Sequence, residues 1–283
     1  MAEHGAAGLA VVAHPDDETV GLSTRLARWA AAGHVLTVTD GAPRDRRSFE
    51  RHGFTSREAY AAARAAEQAA ALAVVGVAAE HRTCLGVVDQ EAALHLPAIV
   101  DQIATQIAAC APAVVFTHAY EGGHPDHDAV ACAVHLAIDR LAAGRARPPA
   151  LFEFAGYRAD LDEAAQLAAL TGPRPPRHQL RPAIPLCFLP GGPAQTTVVL
   201  SPDERARKRR MYACYRTQAL EGFFTCELER FRPAPRYDFT RPPHVGVLHY
   251  EKHDYAISGE RFRALYRAAR AMGHGASVGS SSR

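Results

Sequence analysis

The readable pattern opens on an unbroken apolar run, Gly8-Leu9-Ala10-Val11-Val12-Ala13, which is how a strand buried on both faces reads. The polar segment His14-Pro15-Asp16-Asp17-Glu18 follows at once. Leu22, Leu26, Trp29 and Ala30 then recur at helical spacing, and Gly33 stands where a C-terminal glycine cap is expected. The unit is strand, polar loop, helix. It repeats: Val35 to Thr39 predicts a second strand, and Thr55 with Glu58 predicts a capping box that opens an alanine-rich helix running to about Leu72. Residues 40–54 between them form a polar, arginine-rich loop, and a loop of that length in a compact domain is usually functional or mobile.

Residues 80–85 predict a third strand, Ile99, Ile103 and Ile107 the face of a third helix, and Ala113 to Thr117 a fourth, strongly apolar strand. A second polar loop, rich in histidine, spans 118–128. Val130, Ala133, Val134, Ala137 and Leu141 mark the inner face of the next helix, which should stop near Gly144, and residues 150–155 predict a fifth strand. Alternating strands and helices give an α/β fold with a doubly wound, mainly parallel, Rossmann-like sheet. Past residue 156 the rhythm fails, and a proline-rich stretch at 173–193 separates strand-like runs at 184–189 and 195–200. Ser201, Pro202 and Glu204 predict a capped helix over 202–219 that carries the basic run Arg205 to Arg210. The division expected is a catalytic core at 1–156, an appended α+β substrate-side region at 157–272 and a small, polar, disordered tail at 273–283.

Composition narrows the function class. The chain has 283 residues, 48% of them hydrophobic, and its 32 Lys and Arg nearly balance 30 Asp and Glu. That balance gives no nucleic-acid or membrane-surface footprint. No apolar run reaches the roughly 20 residues of a membrane span, and the N-terminus lacks a signal-peptide pattern. A cytoplasmic protein that binds neither membrane nor nucleic acid is expected, and a homo-oligomer is compatible with this composition. Cys84, Cys110, Cys132, Cys187, Cys214 and Cys226 lie far apart and read as reduced thiols.

The chemistry sits in the two polar loops. Imidazole and carboxylate are zinc-binding groups, and a catalytic zinc site uses three protein ligands with a further position open. His14, Asp17 and His127 can supply that set. In an open α/β sheet, ligands bind beyond the carboxyl ends of the strands, where both loops begin, so segments a hundred residues apart in sequence can meet there. Asp16 and Asp17 are adjacent and diverge, so that one carboxylate can hold metal while the other takes a proton. His124 and His127 flank Pro125 and Asp126 in the same way. A lone histidine at a strand end is more often structural, and aspartates after strands often cap helices. Two such loops in one chain outweigh that reading. No G-x-G-x-x-G follows the first strand and no G-x-S-x-G elbow is present, which disfavours a dinucleotide-binding domain and a serine hydrolase. The non-enzymatic alternative is a nucleic-acid-binding protein using Arg205 to Arg210.

Ala13-His14-Pro15-Asp16-Asp17-Glu18 and His124-Pro125-Asp126-His127-Asp128 resemble the two signature motifs of the PIG-L/LmbE zinc-dependent N-acetylglucosaminyl deacetylases. Arg64 with Glu67 and Gly76, Leu85-Gly86 with Asp89, and Lys208, Tyr215 and Gln218 extend the similarity. The resemblance implies that His14, Asp17 and His127 bind Zn2+, or another divalent ion such as Fe2+. It makes Asp16 the general base and has a protonated His124 assist at the carbonyl with Asp126 orienting it. Arg64, Asp89 and Tyr215 would contact substrate, a small N-acylated amino sugar. Tyr120 is followed here by Glu121-Gly122-Gly123, so any tyrosine role near the second motif falls to Tyr120 or Tyr215. Within the resemblance, the alternative to deacetylation is a zinc amidase that cleaves a larger amide such as a thiol conjugate.

Overall fold

A computed structural model describes residues 8–143, 148–156, 186–253 and 255–275. Among these residues the chain forms β1 (Gly8–Val12), α1 (Asp17–Trp29), β2 (Gly33–Thr39), α2 (Arg46–Glu50), α3 (Arg57–Val74), β3 (Arg82–Val87), α4 (Leu96–Cys110), β4 (Val114–His118), α5 (Pro125–Ala142), β5 (Ala150–Phe154), β6 (Thr196–Val199), α6 (Pro202–Tyr212), β7 (Leu228–Pro233) and α7 (Gly259–Gly275), with short 3-10 turns between some of them.

The strands build one sheet in the order β3-β2-β1-β4-β5-β7-β6. β1 pairs in parallel with both β2 and β4, and β2–β3 and β4–β5 are parallel as well. The mainly parallel sheet read from the sequence is therefore present. β7 lies antiparallel on β5, and β6 antiparallel on β7, so the segment after residue 156 extends the same sheet. Because β1 sends the chain outward to β2 and β3 before it returns as β4 on the other side, the strand order reverses between β1 and β4. A crevice opens there at the carboxyl edge, where such sheets bind ligands.

The apolar run of β1 serves two cores. Leu9, Val11 and Ala13 join Ile99, Ile103 and Ile107 of α4, Val130 and Val134 of α5 and Phe262 of α7. Ala10 and Val12 face the other way, with Leu22 and Leu26 of α1, Leu72 of α3 and Met211 of α6. Strand periodicity of two places alternate residues on opposite faces, and both are covered by helices. No helix among the described residues is long and apolar enough to cross a membrane.

Several local expectations are corrected. α3 is capped by Ser56, whose hydroxyl accepts from the Ala59 N–H at 3.1 Å, not by Thr55 with Glu58. α1 stops one residue before Ala30, which itself takes φ 42°, while Gly33 is extended and starts β2. Glycine is needed there for closeness, since a Cβ would stand 2.8 Å from Trp29 Cβ. Loop 40–54 contains α2, capped by the Asp45 carboxylate. The helix from Pro202 ends at Tyr212 and not at 219. Residues 186–189 form no strand, and the rest of the run proposed at 184–189 lies outside the described residues, as do Gly144 and the tail from 276. α7 carries regular structure into the stretch expected to be disordered, as far as Gly275.

The basic run on α6 is not a uniform solvated face. Lys208 is fully buried, and its ammonium donates to Val20 O at 2.7 Å and to Glu229 Oε1 at 3.0 Å. Ser23 and Thr24 of α1 donate to the same carboxylate, each at 2.5 Å. Arg205 and Arg209 pair with Glu227 of the neighbouring strand segment. A buried charge needs this density of partners. The network ties α1, α6 and β7 together beneath the first polar loop.

Candidate active site

The two polar loops leave β1 and β4 side by side, and the first hydrogen bonds of the site lock the strands at that point. Ala13 N–H donates to His118 Nε2 at 2.9 Å, and Ala13 O accepts from Thr39 N–H at 2.8 Å and Thr39 Oγ1 at 2.9 Å. Asp16 then takes φ 147° and ψ −28° at the N-cap of α1, a backbone geometry that non-glycine residues rarely adopt. This turn separates the two adjacent carboxylates. Asp17 points into the crevice, and His14 N–H donates to its Oδ2 at 2.8 Å.

His14, Asp17 and His127 meet. His14 Nδ1 is 3.3 Å from Asp17 Oδ2, His127 Nε2 is 3.3 Å from Asp17 Oδ1, and the two imidazole nitrogens are 3.3 Å apart. Ligands about 2.0–2.1 Å from a tetrahedral zinc ion are separated by about 3.3–3.4 Å, which is the spacing of each of these pairs, with Asp17 facing His14 through Oδ2 and His127 through Oδ1. All three side chains are buried, at 6–8% residue exposure. Burial opposes charge on Asp17, yet His127 and His118 hold its carboxyl well below the usual range. Burial, with His118 adding to it, lowers His127 to about 4, so its imidazole is neutral. Burial likewise opposes charge on His14, but Asp89, Asp126 and Asp17 together raise its pKa well above the ordinary value. The cluster attracts positive charge, and its ionised carboxylate and neutral imidazole are the forms in which these groups bind metal.

Three overlapping donor sets are compatible with an ion among the described residues: His14, His124 and His127; His14, Asp89, His124 and Asp126; and Asp17, His118 and His127. Hydrogen bonding engages members of the second and third sets. His118 Nε2 already accepts from the Ala13 N–H, so its lone pair is engaged, and its ring stacks on His127 at 4.0 Å. Asp126 is fully buried, and its carboxylate accepts from Gln90 N–H at 2.6 Å and Ala92 N–H at 3.0 Å while facing His14 Nε2 at 3.3 Å. Asp89 Oδ1 also stands 3.2 Å from His14 Nε2. Carboxylates against one ring nitrogen leave Nδ1, the nitrogen facing Asp17 and His127, to act as the donor.

Asp126 therefore orients His14, whereas the resemblance had it orient His124. His124 is instead the N-cap of α5, and its Nδ1 accepts from Asp126 N–H at 3.2 Å. That bond places the ring proton on Nε2. Burial, reinforced by His14 and His127, holds the His124 pKa well below the ordinary value. His124 is a neutral imidazole with an N–H to donate, not the protonated group expected.

Asp16 lines a small cavity with Asp17, Val20, His127, Phe154, Leu186 and Phe224. Burial, foremost, and neighbouring Asp17 raise its pKa against the pull of Arg64. Arg64 is only 4% exposed, and its guanidinium donates to Gly41 O and Pro15 O at 2.9 Å each and to Asp16 Oδ2 at 3.2 Å. It braces the first loop from beneath. Gly41, at φ +67°, is required there, because a Cβ would stand 2.9 Å from both the guanidinium carbon and Pro15.

Tyr215 is 1% exposed, and its hydroxyl donates to Glu18 Oε1 at 2.5 Å. Glu18, fully buried, also accepts from Gln68 at 3.0 Å, Thr19 at 2.9 Å and Asp16 N–H at 3.2 Å. Tyr215 is thus a strut under the loop and does not face the crevice. Tyr120 is buried in the α4/α5/α7 layer with its hydroxyl on Arg241 O at 2.9 Å. Among the described residues, the tyrosine at the site is Tyr255, whose ring meets His124 edge-on at 4.9 Å and whose pKa is raised to about 12 by burial and by Asp89. The sequence assigned no role to Tyr255, His118 or Glu18. Glu18 closes the first motif and His118 opens the second polar loop, so their position was a usable signal, whereas Tyr255 arrives from 128 residues beyond His127 with no local pattern.

No curated protein sequence matches this chain. Among solved structures, the deacetylase Dbv21, described as acting on the A40926 pseudoaglycone, aligns with a TM-score of 0.58 and 23% identity over 83% of this chain and 99% of that one. A deacetylase–teicoplanin complex aligns with a TM-score of 0.57 and 19% identity over 82% and 99%. The conserved protein TT1542 from Thermus thermophilus aligns with a TM-score of 0.50 and 22% identity over 75% and 80%. These similarities establish a shared fold. The stretch from residue 9 to residue 138, which contains β1, β4 and both polar loops, matches the PIG-L family, described as GlcNAc-PI de-N-acetylase, in agreement with the resemblance carried by the two motifs.

Proposed function

We propose that the protein is a metal-dependent N-deacetylase that acts on an acetylated, amino-sugar-containing small molecule. The observation that carries this reading is the buried cluster in which His14 Nδ1 and His127 Nε2 lie 3.3 Å apart and each stands 3.3 Å from one oxygen of Asp17, with Asp16 beside it. The family match and the fold shared with proteins described as deacetylases support it.

His14, Asp17 and His127 would hold the ion, with Zn2+ the first choice for a donor set of two imidazoles and a carboxylate. Such an ion supplies water acidic enough to deprotonate near pH 7 and polarises a carbonyl. The remaining roles fall to the chain's own side chains. Arg64 fixes Asp16 through Oδ2, and the ionised Asp16 carboxylate would accept a proton from the attacking water. It returns that proton to the leaving amine. His124 Nε2–H donates to the developing oxyanion as a neutral group, so no proton has to be taken up beforehand. Val20, Phe154, Leu186 and Phe224 form the apolar wall next to Asp16.

Acetylated amino sugars, free and glycopeptide-linked, and larger thiol-conjugate amides should be screened for amine release before and after chelation and metal repletion. Acetate release from an acetamido sugar that stops with chelator and returns with zinc is the expected result. Turnover insensitive to chelation, or confined to larger amides, refutes the reading.

A further inference from the structure

Beyond the site, a 3-10 turn at His249–Lys252 stands on the rim of the crevice. Glu251 pins it, accepting from Leu248 N–H at 2.9 Å and Gly259 N–H at 2.8 Å. His249 N–H donates to Gly122 O at 2.9 Å, which fastens the turn to the second polar loop. His249 and His253, four residues apart, turn their rings to one side, and the two Nε2 atoms lie 3.2 Å from each other. His253 is exposed to solvent.

Two imidazoles brought nitrogen to nitrogen can share a proton, as in the hydrogen bond between them, or hold one cation. The 3.2 Å separation matches the edge of about 3.3 Å expected between two imidazole ligands on a four-coordinate zinc ion. His249 opens the 3-10 turn and His253 is its extended C-cap, and this local fold brings the two rings to one side. Imidazole donors favour zinc, copper and nickel over magnesium and calcium. We propose that His249 and His253 form a second, solvent-open site for a divalent transition-metal ion.

The site is mechanically joined to the crevice. Tyr255 N–H donates to His253 O at 2.8 Å, and the Tyr255 ring meets His124 at 4.9 Å. An ion that fixes His253 therefore fixes the tyrosine that covers His124. Binding at the rim stands independently of the proposed reaction, and only its effect on turnover rests on that reading.

Zinc titration of the metal-free chain by calorimetry tests the proposal. Two classes of site are expected, the weaker one lost in His249→Ala/His253→Ala and weakened by more than about tenfold in His253→Gln, a milder change at an exposed position. Asp17→Asn should weaken the tight class and leave the rim class in place, so failure of the active-site reading is seen separately. A parent titration in which no class of site is lost in the double histidine variant or weakened in His253→Gln overturns the proposal.

Discussion

Replacing Asp126 by Asn separates two assignments for a residue that the motif alone leaves ambiguous. The carboxylate has no solvent exposure and serves Gln90 N–H, Ala92 N–H and His14 Nε2 at 2.6, 3.0 and 3.3 Å. An amide of the same shape keeps one acceptor oxygen and turns an NH2 group toward a donor, so at least one hydrogen bond to a charged acceptor is lost, at about 1.5–3 kcal/mol. His14 also loses a carboxylate that fixes its tautomer. Loss of such an outer partner typically lowers metal affinity 10–100-fold, equivalent to about 1.4–2.8 kcal/mol. Zinc affinity of Asp126→Asn, measured by competition with a chromogenic chelator, should fall by that factor, while kcat at saturating zinc stays within a few-fold of the parent. Were Asp126 to act through His124, the pattern would reverse, with unchanged zinc affinity and a large fall in kcat. That reversal would refute the assignment to His14.

Asp16→Asn should keep its zinc content while kcat falls by about 10²–10⁴; inductively coupled plasma analysis beside steady-state rates checks both. Lys208→Met leaves Glu229 charged and buried, which costs about 3–5 kcal/mol and a drop in Tm on the order of 10 °C; Lys208→Met/Glu229→Gln should regain part of it in differential scanning calorimetry. His135 on α5, enclosed by Tyr237 and Phe239, has its pKa lowered by burial to about 4. Because the folded value lies below that of the unfolded chain, about 6.5, its contribution is intact above pH 6.5 and is lost as pH falls toward 4. The loss amounts to at most about 3–4 kcal/mol. Urea titrations should show His135→Leu losing less stability than the parent over that window, and identical pH slopes would refute the assignment.

What the sequence disclosed depended on whether position along the chain determines position in space. β1 and β4 are buried on both faces, so their apolar runs are unbroken, and the polar residues that follow stand out against them. The meeting of His14, Asp17 and His127 followed from that contrast and from where open sheets bind ligands. Residue direction was less accessible. Asp126 lies between His124 and His127 in sequence, but the start of α5 at Pro125 turns it back toward the backbone at Gln90 and Ala92. Tyr215 belongs to a segment that resembles a substrate helix, yet the chain has left α6 at Tyr212 and brings this residue beneath α1 to Glu18. Tyr255 reaches His124 only because the segment before α7 folds back over the second loop, an outcome of tertiary packing with no periodicity to announce it.

The placement of the site across the β1–β4 pairing has a kinetic consequence. Leu9 and Val115 are register partners, although 106 residues separate them in sequence. The chain must close that span before His127 can approach His14. Contacts of such separation form late and slow the search for the native state. The ion proposed for His14, Asp17 and His127 would therefore find its full set of donors only after the sheet has assembled, and would not serve as an early nucleus. Its influence is exerted afterwards, by mass action on the finished fold, and at a thousand times its dissociation constant it would add about 4 kcal/mol to the unfolding free energy. Zinc should slow the unfolding of this protein and leave its initial folding rate unchanged.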